Sequence, residues 1–147
     1  MKLKYFSHIL IVSLLLLVGC KLETSGNGAL DGYWKLSAVD TLATGGTTDL
    51  TDSSIFWSVQ KNLLTVRDNN DASNKEYVFR FAHTDSTLVL TDGQLYNRSS
   101  GNTTVEDMSV LHPFGIHHQP ENFKIDHLTH RRMYLRSNNL RLIFKKF

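Results

Sequence analysis

The stretch from Glu121 to Lys146 reads ENFKIDHLTHRRMYLRSNNLRLIFKK, and it decides the fold class. Around Phe123 and Ile125, apolar and charged side chains follow each other with a period of two. Such alternation is typical of antiparallel strands, which bury one face and expose the other to water. The stretch predicts three consecutive strands, at 121–128, 132–136 and 140–146.

The same alternation occurs along the preceding part of the chain. There are only two prolines and no long run of apolar residues with helical spacing. Eight antiparallel strands in one chain predict an all-β fold, either an up-and-down barrel or a two-sheet sandwich, and we expect the barrel because closure removes exposed strand edges. The five further predicted strands span 32–39, 52–59, 63–67, 76–83 and 87–92.

The predicted connections differ in length between the two ends of such a barrel. In an up-and-down order, successive connections alternate between the ends, and three short turns fall at one end. The other end carries loops 40–51, 68–75, 93–120 and 137–139. We therefore expect a cup with a closed base and a looped mouth, gated by loops 40–51 and 93–120. Loop 93–120, between strands five and six, is expected to be a long irregular or short-helical excursion.

The amino terminus has the pattern of a secretory signal. The apolar run Ile9–Val18 follows a basic start and is too short to cross a bilayer, which requires about 20 residues. It ends in Leu17-Val18-Gly19-Cys20, which resembles the lipobox of bacterial lipoproteins. In those proteins the cysteine is lipidated and becomes the first mature residue. An ordinary cleaved signal with a buried thiol is the alternative interpretation.

The lipobox resemblance implies a division of the chain and a location. Residues 1–19 are expected to be the signal peptide, residues 20–29 a lipidated flexible tether, and residues 30–147 the barrel domain. Acylated Cys20 would bind membrane lipid. Lys21 resembles the outer-membrane class of Gram-negative lipoproteins, so we expect anchoring in the outer membrane, facing either the periplasm or the cell surface.

The first predicted strand carries a family resemblance. Gly32-Tyr33-Trp34 is similar to the G-x-W motif of lipocalins, in which the tryptophan closes the base of the barrel. The domain as a whole resembles the lipocalin-like lipoproteins of Bacteroidetes. Lipocalins usually place an arginine after the last strand, packed on this tryptophan, whereas Lys145 and Lys146 are nearest here. The alternative is a strand start with Trp34 as a core anchor.

Composition excludes several function classes. A chain of 147 residues suffices for one domain, and its one cysteine excludes an internal disulfide framework. Without Lys2 and Lys4, the remaining 14 basic residues equal the 14 acidic ones. A neutral mature chain gives no electrostatic reason for binding nucleic acid, so none is expected as a partner. We expect a monomer.

Catalytic and metal-binding patterns are weak. There is no G-x-S-x-G, H-E-x-x-H, P-loop or G-x-G-x-x-G motif, so we expect no catalytic residues and no cofactor. His112, His117 and His118 lie in the predicted mouth loop, but their spacing matches no established ligand motif. We expect no metal site, and a metal-dependent enzyme is the third function considered.

Large apolar side chains on the inward strand faces are the candidate ligand site. An eight-stranded barrel is wide enough to be filled by side chains or to hold one small ligand. The first hypothesis is a lipocalin-like lipoprotein that binds a small apolar or amphipathic molecule. The alternative is a non-catalytic interaction module, a filled barrel that presents its loops to a polysaccharide or protein, and an exposed aromatic near Phe114 would favour it. The predicted lining residues are Trp57, Tyr77, Phe79, Phe123 and Met133.

Overall fold

A computed structural model describes residues 25–147, which form ten strands and two short 3-10 helices. Within this part of the chain, no helix is long and apolar enough to cross a bilayer. The predicted signal peptide, Cys20 and the first part of the tether lie outside the described residues. The strands are β1 (Gly32–Thr41), β2 (Gly46–Asp49), β3 (Ile55–Gln60), β4 (Leu63–Asp68), β5 (Glu76–His83), β6 (Thr87–Leu95), β7 (Thr103–Thr104), β8 (Glu121–Leu128), β9 (Arg132–Arg136) and β10 (Leu140–Lys146), and the 3-10 helices are Gly28–Leu30 and Met108–Phe114.

Eight of the strands close into an antiparallel barrel. Neighbouring strands follow the order β1, β3, β4, β5, β6, β8, β9 and β10, and β10 pairs with β1 to complete the ring. The predicted eight-stranded up-and-down barrel is therefore confirmed. The predicted excursion between the fifth and sixth barrel strands contains β7 and the 3-10 helix Met108–Phe114.

Strand β1 closes the barrel because it pairs with three other strands. Its first half pairs with β3, its second half with β2, and β10 runs along it from Trp34 to Thr41. The register shifts between Leu36 and Ala38, where Ser37 is buried. The Ser37 hydroxyl donates a hydrogen bond of 2.9 Å to the Ile143 carbonyl, which satisfies this buried polar group.

Two short strands and several boundaries differ from the sequence prediction, and β1 and β6 end two and three residues later than predicted, at Thr41 and Leu95. Strands β2 and β7 lie within the predicted loops 40–51 and 93–120, and all their residues are exposed, so no apolar alternation marks them. The strand predicted from residue 52 begins at Ile55. Asp49 Oδ1 accepts hydrogen bonds from the Thr51 backbone N–H at 2.8 Å and hydroxyl at 2.6 Å, a local turn that delays the strand.

The two ends of the barrel differ as expected. Turns of two or three residues connect β3 to β4, β5 to β6 and β8 to β9 at one end, while the long connections gather at the other. Residues 25–29, predicted as the end of the tether, pack against the closed end. The Asn27 side-chain amide donates 2.7 Å hydrogen bonds to Asp31 Oδ1 and the Lys61 carbonyl, and the Ser25 hydroxyl donates to the Asp31 carboxylate.

The interior of the barrel is the hydrophobic core. Inward side chains of all eight barrel strands meet there, together with residues of the mouth loop. Because the strands alternate, the outer face carries most of the charged side chains. The largest side chains that are less than 2% exposed include Trp34, Trp57, Phe79, Phe123, Phe144, Leu30, Leu36, Leu64, Leu88, Leu90, Leu111 and Ile116.

Candidate ligand site in the barrel

Trp34 seals the closed end of the barrel. Its ring is fully buried, and its indole N–H donates a 2.8 Å hydrogen bond to the Leu30 carbonyl. Lys146 Nζ lies 4.5 Å from the centroid of the ring, a cation–π contact. A lysine thus occupies the place that the family resemblance assigns to an arginine.

Gly32 makes room for this lysine. A Cβ atom at Gly32, whose φ is +124°, would lie 2.5 Å from Lys146 Cε. The Lys146 ammonium also donates to the backbone carbonyls of Ala29, at 3.2 Å, and Asp31. Burial lowers the pKa of Lys146, an effect that the Asp31 carboxylate opposes. Gly32 and Trp34, predicted as the structural base, therefore lie together at the closed end.

Trp57 on β3 lies at the centre of the barrel interior. Its ring centroid is 4.9 Å from that of Phe144 and 5.8 Å from that of Phe123, so two of the predicted lining residues, Trp57 and Phe123, are in contact. In residues 25–147, the buried Trp57 Nε1 has no hydrogen-bond partner. An unsatisfied buried donor costs about 1–3 kcal/mol.

The other predicted lining residues are also buried and inward-facing, but they are distributed around the wall. Tyr77 on β5 contacts Phe114 of the mouth loop, with ring centroids 5.8 Å apart, and burial raises the pKa of its hydroxyl. Phe79 packs beneath β6, where a Cβ at Gly93 would lie 2.6 Å from its ring. Met133 on β9 is fully buried. The structure places all five side chains in one core.

The segment of residues 108–116, here called the cap, covers the mouth of the barrel. The 3-10 helix Met108–Phe114 begins after Asp107, whose side chain accepts a 2.9 Å hydrogen bond from the Ser109 N–H, and ends at Gly115, which has a φ of +79°. The cap inserts three apolar side chains into the core: Leu111, Phe114 and Ile116. Phe114 is only 5% exposed, so it is not the exposed aromatic that would favour an interaction surface there.

Glu121 ties the end of the cap to β8. This carboxylate is 4% exposed, and its Oε2 accepts hydrogen bonds from the backbone N–H groups of His117 at 2.6 Å and His118 at 2.8 Å. The His112 and His117 rings stack at a centroid distance of 4.3 Å and an interplanar angle of 18°. The cap is therefore held by a buried carboxylate on one side and a histidine pair on the other.

The spaces large enough for a small molecule are found on the outer surface. Three hollows in residues 25–147 have volumes of about 550, 430 and 290 Å³. Of the predicted lining residues, Phe123 borders the first and Phe79 the third, whereas Trp57, Tyr77 and Met133 border none of them. With the cap in place, the barrel interior is occupied by its own side chains. A ligand in the barrel would require movement of the cap.

The mouth histidines do not assemble a metal site in this structure. Across residues 25–147, no group of three or more His, Cys, Asp or Glu side chains is arranged to hold a metal ion. His112 and His117 are stacked ring on ring, and both His112 and His118 are exposed. Protonation of His117 would place a charge in a partly buried site against the His112 ring, which disfavours the charged form.

We expect the cap to weaken in acid through His117. Desolvation lowers the pKa of His117, as do the neighbouring His112 and His118, while Glu121 opposes the shift. A depressed folded-state pKa means that the unfolded chain binds the proton more readily, so this stabilisation is complete above pH about 6.5 and is lost as the pH falls through the folded pKa. Urea unfolding between pH 7.5 and 5 should show a flatter dependence for His117→Gln than for the wild type. Parallel curves for the two proteins would contradict the assignment.

A closed up-and-down barrel with a tryptophan-sealed base and a long mouth loop defines the class: an eight-stranded antiparallel barrel, wide enough to be filled by its own side chains or to hold one small ligand. The family model described as "Lipocalin-like domain" matches residues 15–147, so the chain belongs to the lipocalin-like domain family.

Two solved structures are similar in fold. A lipocalin-like protein from Bacteroides uniformis is 21% identical, with a TM-score of 0.63, and the alignment covers 82% of this chain and all of that one. An uncharacterized protein from Bacteroides eggerthii is 22% identical, with a TM-score of 0.60, and the alignment covers 80% of this chain and 98% of that one. At these identities the likeness establishes the fold alone. The comparison with curated proteins gives no significant match.

The sequence analysis missed the residues that close the mouth. Leu111, Phe114 and Ile116 were assigned to a loop, and Glu121 was read only as the start of a strand. The signal that could have found them is the apolar cluster in VLHPFGI, residues 110–116, because a solvated loop of 28 residues rarely carries so many large apolar side chains. Lys146 was considered, but its position over Trp34 depends on the register of β10.

Proposed function

We propose that this lipocalin-like protein binds a small amphipathic molecule in the barrel interior, beneath the cap. The observation that carries the proposal is the unpartnered indole N–H of Trp57. The surrounding rings of Phe123 and Phe144 offer no acceptor, so the donor is directed into an apolar environment. A ligand with an apolar body and one hydrogen-bond acceptor would match both properties.

The cap is the element that would make room for the ligand. Its seven-residue 3-10 helix has weaker hydrogen-bond geometry than an α-helix, and Phe114 fills the space beside Tyr77. Withdrawal of the Phe114 ring would open the interior towards the predicted lining residues. In this proposal the ligand replaces the cap side chains, with Trp57, Tyr77, Phe79, Phe123 and Met133 as its lining.

Titration with laurate tests this proposal. We expect laurate to bind the wild-type domain and Trp57→Phe to weaken binding about 10–100-fold, the effect of one hydrogen bond to a charged carboxylate. Isothermal titration calorimetry measures both affinities. Dodecyltrimethylammonium is the matched probe, because it has the same chain length and no acceptor, and Trp57→Phe should leave its affinity unchanged.

Two results would contradict the proposal. One is the absence of laurate binding to both the wild type and Phe114→Ala, a variant in which the cap no longer fills the interior. The other is equal laurate affinity in the wild type and Trp57→Phe, since the indole N–H would then have no role.

We further propose that the protein is a monomeric lipoprotein, anchored in the outer membrane of a Gram-negative bacterium through acylated Cys20 after removal of residues 1–19. The sequence Leu17-Val18-Gly19-Cys20 supports this proposal. The chain enters the barrel at the closed end, where Ser25 and Asn27 contact Asp31. An anchor five residues before Ser25 would therefore hold the closed end near the membrane and direct the mouth away from it.

Cys20→Ala should abolish the anchor. We expect the variant to appear in the soluble fraction and to incorporate no labelled palmitate, because the acceptor thiol is gone. Cell fractionation and metabolic labelling measure the two properties, and Ser25→Ala serves as the control that keeps both. Continued labelling of Cys20→Ala would exclude this cysteine as the lipidation site.

The second candidate function is a non-catalytic interaction module. It is favoured by the filled interior, in which Trp57, Phe79 and Phe144 are at most 1% exposed. A barrel of this kind would act through its outer surface or loops rather than through a cavity. Both candidates are binding functions, and we propose no catalytic role for the chain.

A further inference from the structure

A hollow of about 290 Å³ opens on the outer face of β4, β5 and β6, and its lining also includes the core residue Phe79. Leu63 borders it on β4, and Tyr96, just after β6, also lines it. These are two of the few large apolar side chains exposed to solvent, at 42% and 48%. Arg80, Asp92, Gln94 and Asn102 provide its polar groups.

A β-bulge shapes this hollow. Between the pairs Val78–Gln94 and Arg80–Thr91, β6 contains one residue more than β5, and Asp92 takes a φ of +52°. The Gln119 carboxamide oxygen, in the orientation that satisfies the group, accepts from the Gly93 N–H at 2.5 Å and the Asp92 N–H at 3.2 Å. Bulges re-aim a side chain relative to the regular strand, and here the re-aimed residue is Asp92, which lines the hollow.

The charged side chains that line the hollow have no hydrogen-bond or ion-pair partners within the described residues. In residues 25–147, neither the Arg80 guanidinium nor the Asp92 carboxylate has a hydrogen bond or an ion pair. Asn102 donates a 3.3 Å hydrogen bond to Gln94 Oε1, and the Gln94 amino group donates no hydrogen bond within residues 25–147. The hollow therefore offers donors, acceptors and amide groups within a small volume, with opposite charges that cancel.

We propose that this hollow is a binding site for a neutral saccharide. A sugar ring presents hydroxyl groups around its rim, which act as both donors and acceptors, and apolar C–H groups on its faces. The rim matches Arg80, Asp92 and Gln94, and the face matches the exposed ring of Tyr96. The balanced charge favours a neutral sugar over an acidic one, and the hollow has space for one or two rings.

The site opens on the outside of the barrel and shares only Phe79 with the predicted lining of the interior, so its test uses Tyr96 and Asp92, which do not belong to that lining. The probes are three neutral trisaccharides, maltotriose, cellotriose and chitotriose, each titrated into the wild-type domain by saturation-transfer NMR. We expect at least one to bind. Tyr96→Ala should weaken that binding about tenfold or more, and so should Asp92→Asn, which keeps a residue that tolerates positive φ and thereby preserves the bulge.

Phe147→Ala is the matched control. Phe147 is another exposed aromatic side chain, 82% exposed, but it lies beside Tyr33 and Phe56 at the closed end. Its replacement should leave saccharide affinity unchanged, and the melting temperatures of all variants are measured to show that they are folded. Failure of all three trisaccharides to bind would overturn the proposal, and so would binding that survives both Tyr96→Ala and Asp92→Asn.

Discussion

Replacement of Trp34 by alanine is expected to lower the free energy of unfolding by about 3–5 kcal/mol, the largest effect that we predict for a single substitution. The ring is fully buried at the closed end, where it contacts the Lys146 ammonium and donates to the Leu30 carbonyl. Removal of the ring would leave a cavity beneath β1, and the aliphatic part of Lys146 would lose its packing partner. Urea unfolding followed by far-ultraviolet circular dichroism measures the loss.

Two milder variants separate the contributions at this end of the barrel. Trp34→Phe keeps a ring but removes the donor to Leu30, with an expected loss of about 1–2 kcal/mol. Lys146→Met keeps most of the stem but removes the cation and its bonds to Ala29 and Asp31, with an expected loss of about 1–3 kcal/mol. If Trp34→Ala cost no more than these variants, the tryptophan would not seal the base.

Gly115→Ala is expected to lower the free energy of unfolding by about 2–4 kcal/mol. Two effects combine at this residue, which ends the 3-10 helix of the cap. Its φ of +79° is unfavourable for any residue with a side chain, and the added Cβ would lie 2.5 Å from Leu142 Cδ2. Leu142 is fully buried on β10, so its side chain has little space into which it could move away from the added Cβ. Thermal and urea unfolding measure the change.

Gly101→Ala is the control that isolates the steric part. Gly101 has a similar φ of +84°, but a Cβ there would have no atom within 4 Å. Its replacement should therefore cost only the backbone strain, about 1–2 kcal/mol. If both variants lost the same amount, the packing of the cap against Leu142 would contribute nothing to stability.

The barrel could be predicted because it depends on two properties of residues that are close in sequence, the alternation within strands and the length of the turns. The eight barrel strands have polar and apolar alternation, and each closed-end turn is two or three residues long, so the sequence between 121 and 146 predicts three strands with correct ends. The strands that were missed, β2 and β7, are short and exposed, and they form because β1 and β6 extend beyond the barrel and offer free edges. Their pairing is a consequence of tertiary geometry.

The cap and the closed base depended on contacts between distant parts of the chain. Glu121 accepts from His117 and His118 only because the cap returns to β8, and Lys146 reaches Trp34 only through the register of β10 on β1. The five predicted lining residues could be assigned to the inward face from alternation. Whether that face surrounds a space depends on the loop that packs over it, and periodicity carries no information about that.

The pairing of β10 with β1 constrains how the molecule assembles. The first and last barrel strands are neighbours, and the Phe147 N–H donates a 2.8 Å hydrogen bond to the Tyr33 carbonyl. A nascent chain that lacks β10 would have two open sheet edges, at β1 and β9, and no cation over Trp34. Ring closure during biosynthesis must therefore wait for the final strand, and contacts of such long sequence separation make folding slow.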